Sequence, residues 1–291
     1  MKPMNLYWAN GQANFGDSVA PELVKFLFRR DVVWASKWRA NLLSIGSLLG
    51  WALLKPGKDG FQGIVDTWRM KLRRLITPKI VIFGTGFLSN PFADDALAPS
   101  IRRTPDVIAL RGARSFEIIK RLGLAANAKQ IALGDPGLFF SDLWPDIKRN
   151  SSPNAKRGYI PHESEWAKSS FQHLRLNHPE LAYIDVRMPP REVFSAIANC
   201  REVFSSSLHG LIAADSLGIP NRWVKLTIDG RSEEDNRFKF DDYYSAFGET
   251  REPCNINDIP NIDIGTQIAS EKIAERKAEL LSALEKHLKN L

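Results

Sequence analysis

VFSSSLHGLIAADSLGIP, residues 203–220, is the stretch of sequence that decides the fold. A short apolar run ends in three serines, Ser205, Ser206 and Ser207, and His209 follows just before a segment rich in small residues. This order predicts a buried strand that gives way to a helix with the histidine at its start. Parallel sheets bind ligands at the carboxyl ends of their strands, so the stretch predicts a binding site around His209.

The same alternation of apolar runs and helical patterns continues on both sides, as in α/β proteins with parallel sheets. Strands are predicted at 5–9, 41–49, 79–87, 106–110, 130–137, 157–162, 181–186, 202–206 and 222–226. Helices are predicted at 19–30, 111–123, 163–174 and 190–199, after His209, and over 271–288, where the pattern is charged and amphipathic.

A polar segment without periodicity, 145–157, divides this pattern in two. It contains two prolines, as linkers between domains often do. The 291 residues are too many for one ordinary domain and sufficient for two. The predicted fold class is α/β, with Rossmann-like domains over 1–147 and 155–291 that face each other across a cleft.

The net charge of +7 predicts an anionic partner: a phosphorylated small molecule, a nucleic acid or the inner face of a membrane. No zinc finger, recognition helix or aromatic RNA-binding motif accompanies the charge, which argues against nucleic acid. We find no signal peptide and no apolar run long enough to span a bilayer. Cys200 and Cys254 match no metal spacing. A cytoplasmic protein without a metal or a bound cofactor is predicted.

Residues 31–76 hold Trp34, Trp38, Trp51 and Trp68 together with the basic run RMKLRRL, 69–75. Two interpretations, and a mixture of both, stay open for this region. It forms a strand, a loop and a helix with core tryptophans, or an interfacial surface that meets anionic lipid at the headgroup layer.

The candidate ligand-binding residues of the first half all follow a predicted strand. They are Asn14, Gly16 and Asp17 of NFGD, Gly84, Thr85 and Gly86 of GTGF, Arg111, and Asp135 of GDPG. Glycines allow backbone N–H groups to approach an anion, and an arginine suits a carboxylate or a phosphate. Each also has a structural interpretation: a helix cap for Asp17, a sharp turn for GTGF, a surface ion pair for Arg111, and turn formation for Asp135.

Two of the five histidines, His162 and His209, fall at the ends of predicted strands in the second half. A helix N-terminus disfavours imidazolium, so His209 is expected to be neutral and able to accept a proton. A bound anion would raise its pKa and allow it to donate one. The three serines could bind a phosphate, and the lack of a G-x-S-x-G elbow argues against a serine hydrolase.

Taken in order, NFGD, GTGF, LRGARS, LGDPG, a strand that ends in His162, and SSSLHGLIAADSLGIP resemble the polysaccharide pyruvyl transferase family. The branch that includes the succinoglycan ketal pyruvyl transferases is the most similar. The resemblance spans about residues 5–226. It implies a fold like that of the two-domain GT-B glycosyltransferases. It also implies transfer of pyruvate from phosphoenolpyruvate to two hydroxyls of a sugar, which gives a ketal and free phosphate.

The resemblance and the positions together suggest roles. His209 is the general acid/base, Asp17 activates or orients the acceptor hydroxyl, and His162 is a second acid or a phosphate ligand. Arg111, the backbone around Gly84 and the serines before His209 would hold the donor. The acceptor is a lipid-linked oligosaccharide at the cytoplasmic membrane face or a soluble sugar nucleotide.

One position departs from the family pattern. Other branches carry an arginine directly before the Leu-His pair, where this chain has Ser207. The role of that arginine passes to Arg111 or Arg222, or the donor differs. Two rival functions therefore stay open: a glycosyltransferase that uses a nucleotide sugar, and a non-catalytic scaffold in polysaccharide assembly.

Overall fold

A computed structural model describes residues 2–11, 13–36, 38–56, 78–92, 97–99, 104–125, 130–152, 154–226, 232–263 and 267–289. The elements below are numbered in chain order within these ranges. At 54–56 and 97–99 the description is of the backbone.

The described strands form two parallel sheets and one short antiparallel pair. The first sheet has the order β2 (Val32–Trp34), β1 (Met4–Tyr7), β3 (Leu42–Leu43), β5 (Val81–Phe83), β7 (Asp106–Leu110) and β8 (Ala132–Leu133). The second has the order β10 (Ala182–Tyr183), β9 (Arg157–Ile160), β11 (Glu202–Ser205) and β12 (Asn221–Trp223). The antiparallel pair is β4 (Leu54–Pro56) with β6 (Leu97–Pro99).

Helices connect and cover these strands, as parallel pairing requires. They are α1 (Phe15–Ser18), α2 (Ala20–Phe28), α3 (Leu49–Leu53), α4 (Ala113–Arg121), α5 (Phe140–Leu143), α6 (Ser169–Asn177), α7 (Pro190–Ala198), α8 (Leu208–Ser216), α9 (Glu233–Ser245) and α10 (Ser270–Lys289). The predicted α/β class is confirmed in this form, a mixed α/β fold with two parallel sheets.

Residues 203–220 have the predicted structure, a buried strand followed by a helix. β11 lies between β9 and β12, with register pairs such as Phe204 with Tyr159. Val203, Phe204 and Ser205 are buried, as expected of a strand covered on both faces. α8 follows after Ser206 and Ser207, and its small residues allow close packing over the sheet.

One strand predicted in the first half needs correction. The strand predicted over 41–49 is only Leu42–Leu43, because the chain turns at Gly46, where φ is +102°. The Thr85 hydroxyl fixes that turn by donating to the Gly46 carbonyl at 2.7 Å. Helix α9, in the second half, is an element that the pattern did not predict.

An aromatic cluster joins the two sheets. Phe15 of α1 lies 5.1 Å from Phe140 of α5, measured between ring centroids, and Phe140 lies 6.2 Å from Phe194 of α7. The terminal helix α10 contacts β7 and β8 of the first sheet, with Leu280 buried beside Gly134. The division into 1–147 and 155–291 stays a prediction, and α10, which it assigns to the second domain, packs on the first sheet.

Candidate active site

The turn between β11 and α8 positions His209. The Ser205 hydroxyl lies 3.0 Å from the Ile160 carbonyl and 2.8 Å from that of Ser207, and it accepts from the Ser207 N–H at 3.0 Å. These bonds fix the backbone just before the helix begins. The side chain of Ser205 is therefore occupied within the turn, and its predicted role in binding phosphate stays a prediction.

Ser206 belongs to a buried network beneath the same turn. Its hydroxyl donates to the Glu165 carboxylate and accepts from the His162 N–H at 2.8 Å. The Tyr159 hydroxyl donates to the same carboxylate oxygen at 3.2 Å. Burial raises the pKa of Glu165 despite these bonds. The network holds the ends of β9 and β11 together and was not predicted.

His209 lies against the backbone of Gly16. Gly16 belongs to α1, which follows strand β1 of the first sheet. A Cβ at Gly16 would be only 1.8 Å from the Nδ1 atom of the imidazole. The Nε2 atom is buried and has no hydrogen-bond partner among the described residues. Burial, followed by the positive charges of Lys239 and Arg111, lowers the pKa of His209 to about 3. The imidazole is therefore neutral at pH 7, with burial rather than the helix dipole as the main cause.

Asp17 lies in the first turn of α1, directly after the glycine that touches His209. The helix cap is Asn14, whose side-chain oxygen accepts from the Gly16 N–H at 3.2 Å. Asp17 is thus not the cap, which was its structural alternative. Burial and the nearby charge of Glu163 raise the pKa of Asp17 to about 6, against the opposing charge of Lys239. This value is suited to proton transfer near neutral pH.

Two charged groups of the site were not predicted from the sequence. Glu163 follows β9 and accepts from the Asn14 side chain at 3.5 Å, so it links the second sheet to α1. Lys239 lies on α9, and its charge acts on both Asp17 and His209. The available signal for Lys239 was a single lysine within the aromatic run FKFDDYY, 238–244.

His162 lies next to Glu163, and its side chain caps a short 3₁₀ turn. Its Nδ1 accepts from the Ser164 N–H at 3.3 Å and starts the 3₁₀ turn Glu163–Glu165. The predicted role of His162 as a second acid or phosphate ligand stays a prediction.

Arg111 is fully buried, and three of its nitrogens donate to protein acceptors. They are Asp242 at 2.9 Å, Ser47 at 2.6 Å and the Phe87 carbonyl at 2.5 Å. These contacts join the carboxyl end of β7 to α9. The structural alternative, a surface ion pair, is wrong in its location, because the ion pair that Arg111 forms is completely buried. The charge of Arg111 also acts on His209. Direct binding of the donor by Arg111 stays a prediction.

The GTGF turn is likewise occupied by the protein. The N–H groups of Gly84 and Gly86 donate to the carbonyls of Ala109 at 2.9 Å and Gly46 at 3.1 Å. Thr85 is fully buried and bonded to the 46–48 turn. Binding an anion here, as predicted, would require these bonds to break.

Asp135 is a buried cap. One carboxylate oxygen accepts from the Gly137 N–H at 2.8 Å and begins the 3₁₀ turn Pro136–Phe139. Burial raises its pKa to about 7. These features match the turn-forming alternative, and the predicted role of Asp135 in substrate binding stays a prediction.

The tryptophan region divides. Trp34 and Trp51 are exposed, and Trp51 stacks on Tyr7 with 4.1 Å between ring centroids. Trp68 and the basic run 69–75 lie outside the described residues.

Within the described ranges, no helix combines the length and apolarity needed to cross a bilayer, and no group of three or more potential metal ligands occurs. Cys200 and Cys254 are buried, unpaired thiols.

Comparisons relate this chain to known proteins. A family model described as polysaccharide pyruvyl transferase matches residues 14–225. The chain is 29% identical over 222 residues to an uncharacterized protein of Acanthamoeba polyphaga mimivirus, which covers 71% of this chain and 73% of that protein. It is 27% identical over 258 residues to the succinoglycan biosynthesis protein ExoV of Rhizobium meliloti, which covers 88% and 68%. The crystal structure of an uncharacterized Klebsiella pneumoniae protein aligns with a TM-score of 0.45 at 16% identity, over 87% and 92%.

The family match begins at Asn14 and extends past β12. It therefore includes the α1 turn with Asp17, the buried pair at Arg111, and the turn that carries His209. The chain belongs to the polysaccharide pyruvyl transferase family and is a transferase that moves a pyruvyl group onto a polysaccharide.

Proposed function

We propose that the protein transfers the pyruvyl group of phosphoenolpyruvate to two hydroxyls of one sugar unit in an exopolysaccharide or its precursor. The products are a pyruvate ketal and free phosphate. The observation that carries the proposal is the contact between Gly16 and His209. It brings a neutral imidazole next to Asp17, and the positive charge of Lys239 acts on both groups.

Lys239 is our candidate for the cation that replaces the arginine missing at Ser207. The donor carries a carboxylate and a phosphate, so the site needs a cation close to His209. Arg111 is bonded to Asp242, and Arg222 lies beside the Cys254 thiol. Lys239 is half-buried on α9 and electrostatically close to His209. We assign it the part that an arginine before the Leu-His pair plays in other branches.

The reaction divides between the two proton-transfer groups. The anionic donor raises the pKa of His209 by its charge, so the imidazolium can protonate the enol CH₂ carbon to a methyl group. Asp17 takes the proton of the first sugar hydroxyl as its oxygen bonds to the adjacent carbon. The second hydroxyl then displaces phosphate from that carbon and gives its proton to His209, which is neutral after the first step, and the ketal ring closes.

An aromatic surface lies on the acceptor side of Asp17. Tyr7 stacks on Trp51, and burial, followed by the charge of Asp17, raises the pKa of Tyr7. The indole of Trp51 is 42% exposed. Sugar-binding sites combine aromatic faces with a few placed polar groups, so we propose that the acceptor ring packs here.

The proposal also includes a GT-B-like arrangement of the two sheets and an acceptor at a membrane surface. The aromatic cluster and the Gly16–His209 contact support a GT-B-like arrangement in which the site lies between the two sheets. A lipid-linked oligosaccharide at the cytoplasmic membrane face fits the exposed Trp34 and the net positive charge.

The test combines binding with product analysis. Phosphoenolpyruvate should raise the melting temperature, since a ligand at 100 times its Kd adds about 2.7 kcal/mol of stability. With a glycan acceptor the protein should release phosphate and create a ketal methyl signal in the NMR spectrum. Lys239→Ala should raise the KM for phosphoenolpyruvate about tenfold or more, because one charge-assisted contact is lost. The matched control is Lys148→Ala, which removes an exposed lysine elsewhere.

Other outcomes identify the rivals. Stabilisation by UDP- or GDP-sugars alone, with glycosyl transfer and no phosphate release from phosphoenolpyruvate, would establish a glycosyltransferase. An absence of turnover with every donor and acceptor would favour the scaffold.

Asp17→Asn should lose activity and gain stability. If Asp17 is the base, kcat/KM should fall about 10²-fold, and the decline of wild-type activity below about pH 6 should disappear. The raised pKa means that folding favours the protonated carboxyl, so wild-type stability falls as pH rises from about 4 to 6. The neutral asparagine avoids this loss and should add about 1–2 kcal/mol at pH 8, after allowance for solvent screening.

Urea unfolding at pH 4 and pH 8 measures the effect on stability. A pH–rate profile measures the effect on activity. Asp31→Asn is the control, since Asp31 is exposed and its pairing with Lys25 lowers its pKa. A near-normal rate for Asp17→Asn would remove Asp17 from the mechanism.

Gly16→Ala tests the contact directly. The added methyl would lie 1.8 Å from Nδ1 of His209, so the ring must move. We expect kcat to fall about 10²-fold, the size of effect that a displacement of about 1 Å produces. Gly11→Ala is the control, because nothing lies within 4 Å of its added Cβ. Equal rates for the two variants would contradict a catalytic role for the observed position of the ring.

A further inference from the structure

A cavity of about 430 Å³ lies at the amino ends of the strands of the first sheet. Met4 begins β1 there and Asp106 begins β7, whereas Asp17 follows the opposite, carboxyl end of β1. The terminal helix α10 closes one side with Lys286 and His287. The cavity is therefore separate from the candidate active site and is not used by the proposed reaction.

Positive charge converges on this cavity from distant parts of the chain. Arg30 follows α2, Lys79 precedes β5, and Lys286 lies on α10. Among the described lining residues one carboxylate, that of Asp106, faces these three cations. It is 3.2 Å from Nδ1 of His287 and 3.9 Å from Nζ of Lys79. The cavity keeps an excess of positive charge, which attracts anions.

Arg30 also has a donor that the protein does not use. One terminal nitrogen donates to the Lys2 carbonyl at 2.7 Å. Its Nε is buried and has no hydrogen-bond partner among the described residues. Because a buried donor without an acceptor is costly, a ligand oxygen at this place would be favourable.

The rest of the lining is mostly apolar, with Asn41 and Gln130 as its polar members. Met4 and Val107 are buried, and Val81 and Ile108 are half-buried beside them. The volume lies within the usual range for small-molecule sites, which is about 300–1,000 Å³. Inorganic phosphate alone would satisfy the cations and leave this apolar wall uncovered.

We propose that the cavity is a second binding site, for a phosphate-bearing small molecule that also has an apolar or aromatic part. The phosphate meets Arg30, Lys79 and Lys286, and the remainder of the ligand packs on the apolar strand ends. The proposal does not depend on the pyruvyl transfer mechanism.

Titration calorimetry of the full chain tests the site with two probes, uridine monophosphate and inorganic phosphate, which carry the same phosphate group. Uridine monophosphate should bind more tightly than phosphate, and its Kd should rise with salt concentration. The double variant Lys79→Ala/Lys286→Ala should weaken binding about tenfold or more, since two charge-assisted contacts are lost. Both lysines are largely exposed, so the fold should survive.

Three further variants separate this site from the active site and from a general loss of charge. Lys148→Ala removes the same charge elsewhere and should leave the Kd unchanged. His209→Gln and Lys239→Ala should also bind uridine monophosphate normally, even if they lose activity. The proposal is overturned if neither probe binds, if the two probes bind equally, or if binding is lost in the active-site variants and kept in the lysine double variant.

Discussion

His209→Gln is expected to lower kcat about 10³-fold or more while the urea midpoint of unfolding stays unchanged. A positioned general acid/base contributes about 10²–10⁴-fold, and here one group protonates a carbon, which is a demanding step. Glutamine fills a similar volume and keeps a polar end, so it preserves the packing on Gly16. It does not exchange a proton near neutral pH, so the chemistry should fail and the fold should not.

The pH dependence adds a second readout. The ligand-free imidazole has a pKa of about 3 because it is buried near positive charge. An anionic donor should raise this pKa, and the shift should be visible by NMR of the histidine ring when phosphoenolpyruvate is added. The control is His173→Gln on the exposed face of α6. Loss of the folded state in His209→Gln, with no ring shift in wild type, would make His209 a structural residue.

Arg111→Met is expected to lower the free energy of unfolding by about 3–5 kcal/mol, because it leaves a buried carboxylate without its partner. Arg111 and Asp242 are both completely buried, and their atoms Nε and Oδ2 are 2.9 Å apart. Asp242 also accepts from the N–H of Ser115 at 2.8 Å and from its hydroxyl at 2.6 Å. The pair is therefore part of a network that holds α4 and α9 together.

A double variant distinguishes an unpaired charge from lost packing. Arg111→Met/Asp242→Leu removes both charges, and it should recover most of the stability because an apolar pair of similar volume often replaces a buried ion pair. Urea unfolding measures all three proteins. A small effect of Arg111→Met on stability, combined with a large rise in the KM for phosphoenolpyruvate, would instead make Arg111 a donor-binding residue.

The strands and helices that were predicted best have strong local signals. β7 has its predicted bounds because DVIAL is a short apolar run that leads into a helix. α7 was found because proline and an apolar periodicity mark its start and inner face. The strand over 41–49 was overextended because an apolar run does not show where a glycine with positive φ turns the chain.

Helix α9 was missed for a different reason. Its buried residues include Asn236, Asp241 and Asp242 as well as aromatic rings, so no polar face contrasts with an apolar one. The acids are buried because arginines from other elements pair with them, among them Arg111 and Arg114. Such long-range pairs leave no periodic trace in the sequence.

The candidate site was predicted in part. The strand-end rule selected Asp17 and His209, because each lies beyond the carboxyl end of a strand, β1 and β11 respectively. It also selected Arg111 and Thr85, whose side chains turn into the interior instead. Glu163 and Lys239 were not found, since their importance comes from the approach of separate elements rather than from a motif.

The packing of α10 on the first sheet has a consequence for biosynthesis. β7 and β8 are among the earlier elements of the chain, whereas the helix that covers them is made long afterwards. Their apolar surface therefore stays uncovered during translation until α10 has been synthesised. Contacts between segments so far apart in the sequence also form slowly. We expect the first sheet to depend on chaperones during translation, and ribosome-bound chains that stop before Ser270 to be sensitive to protease.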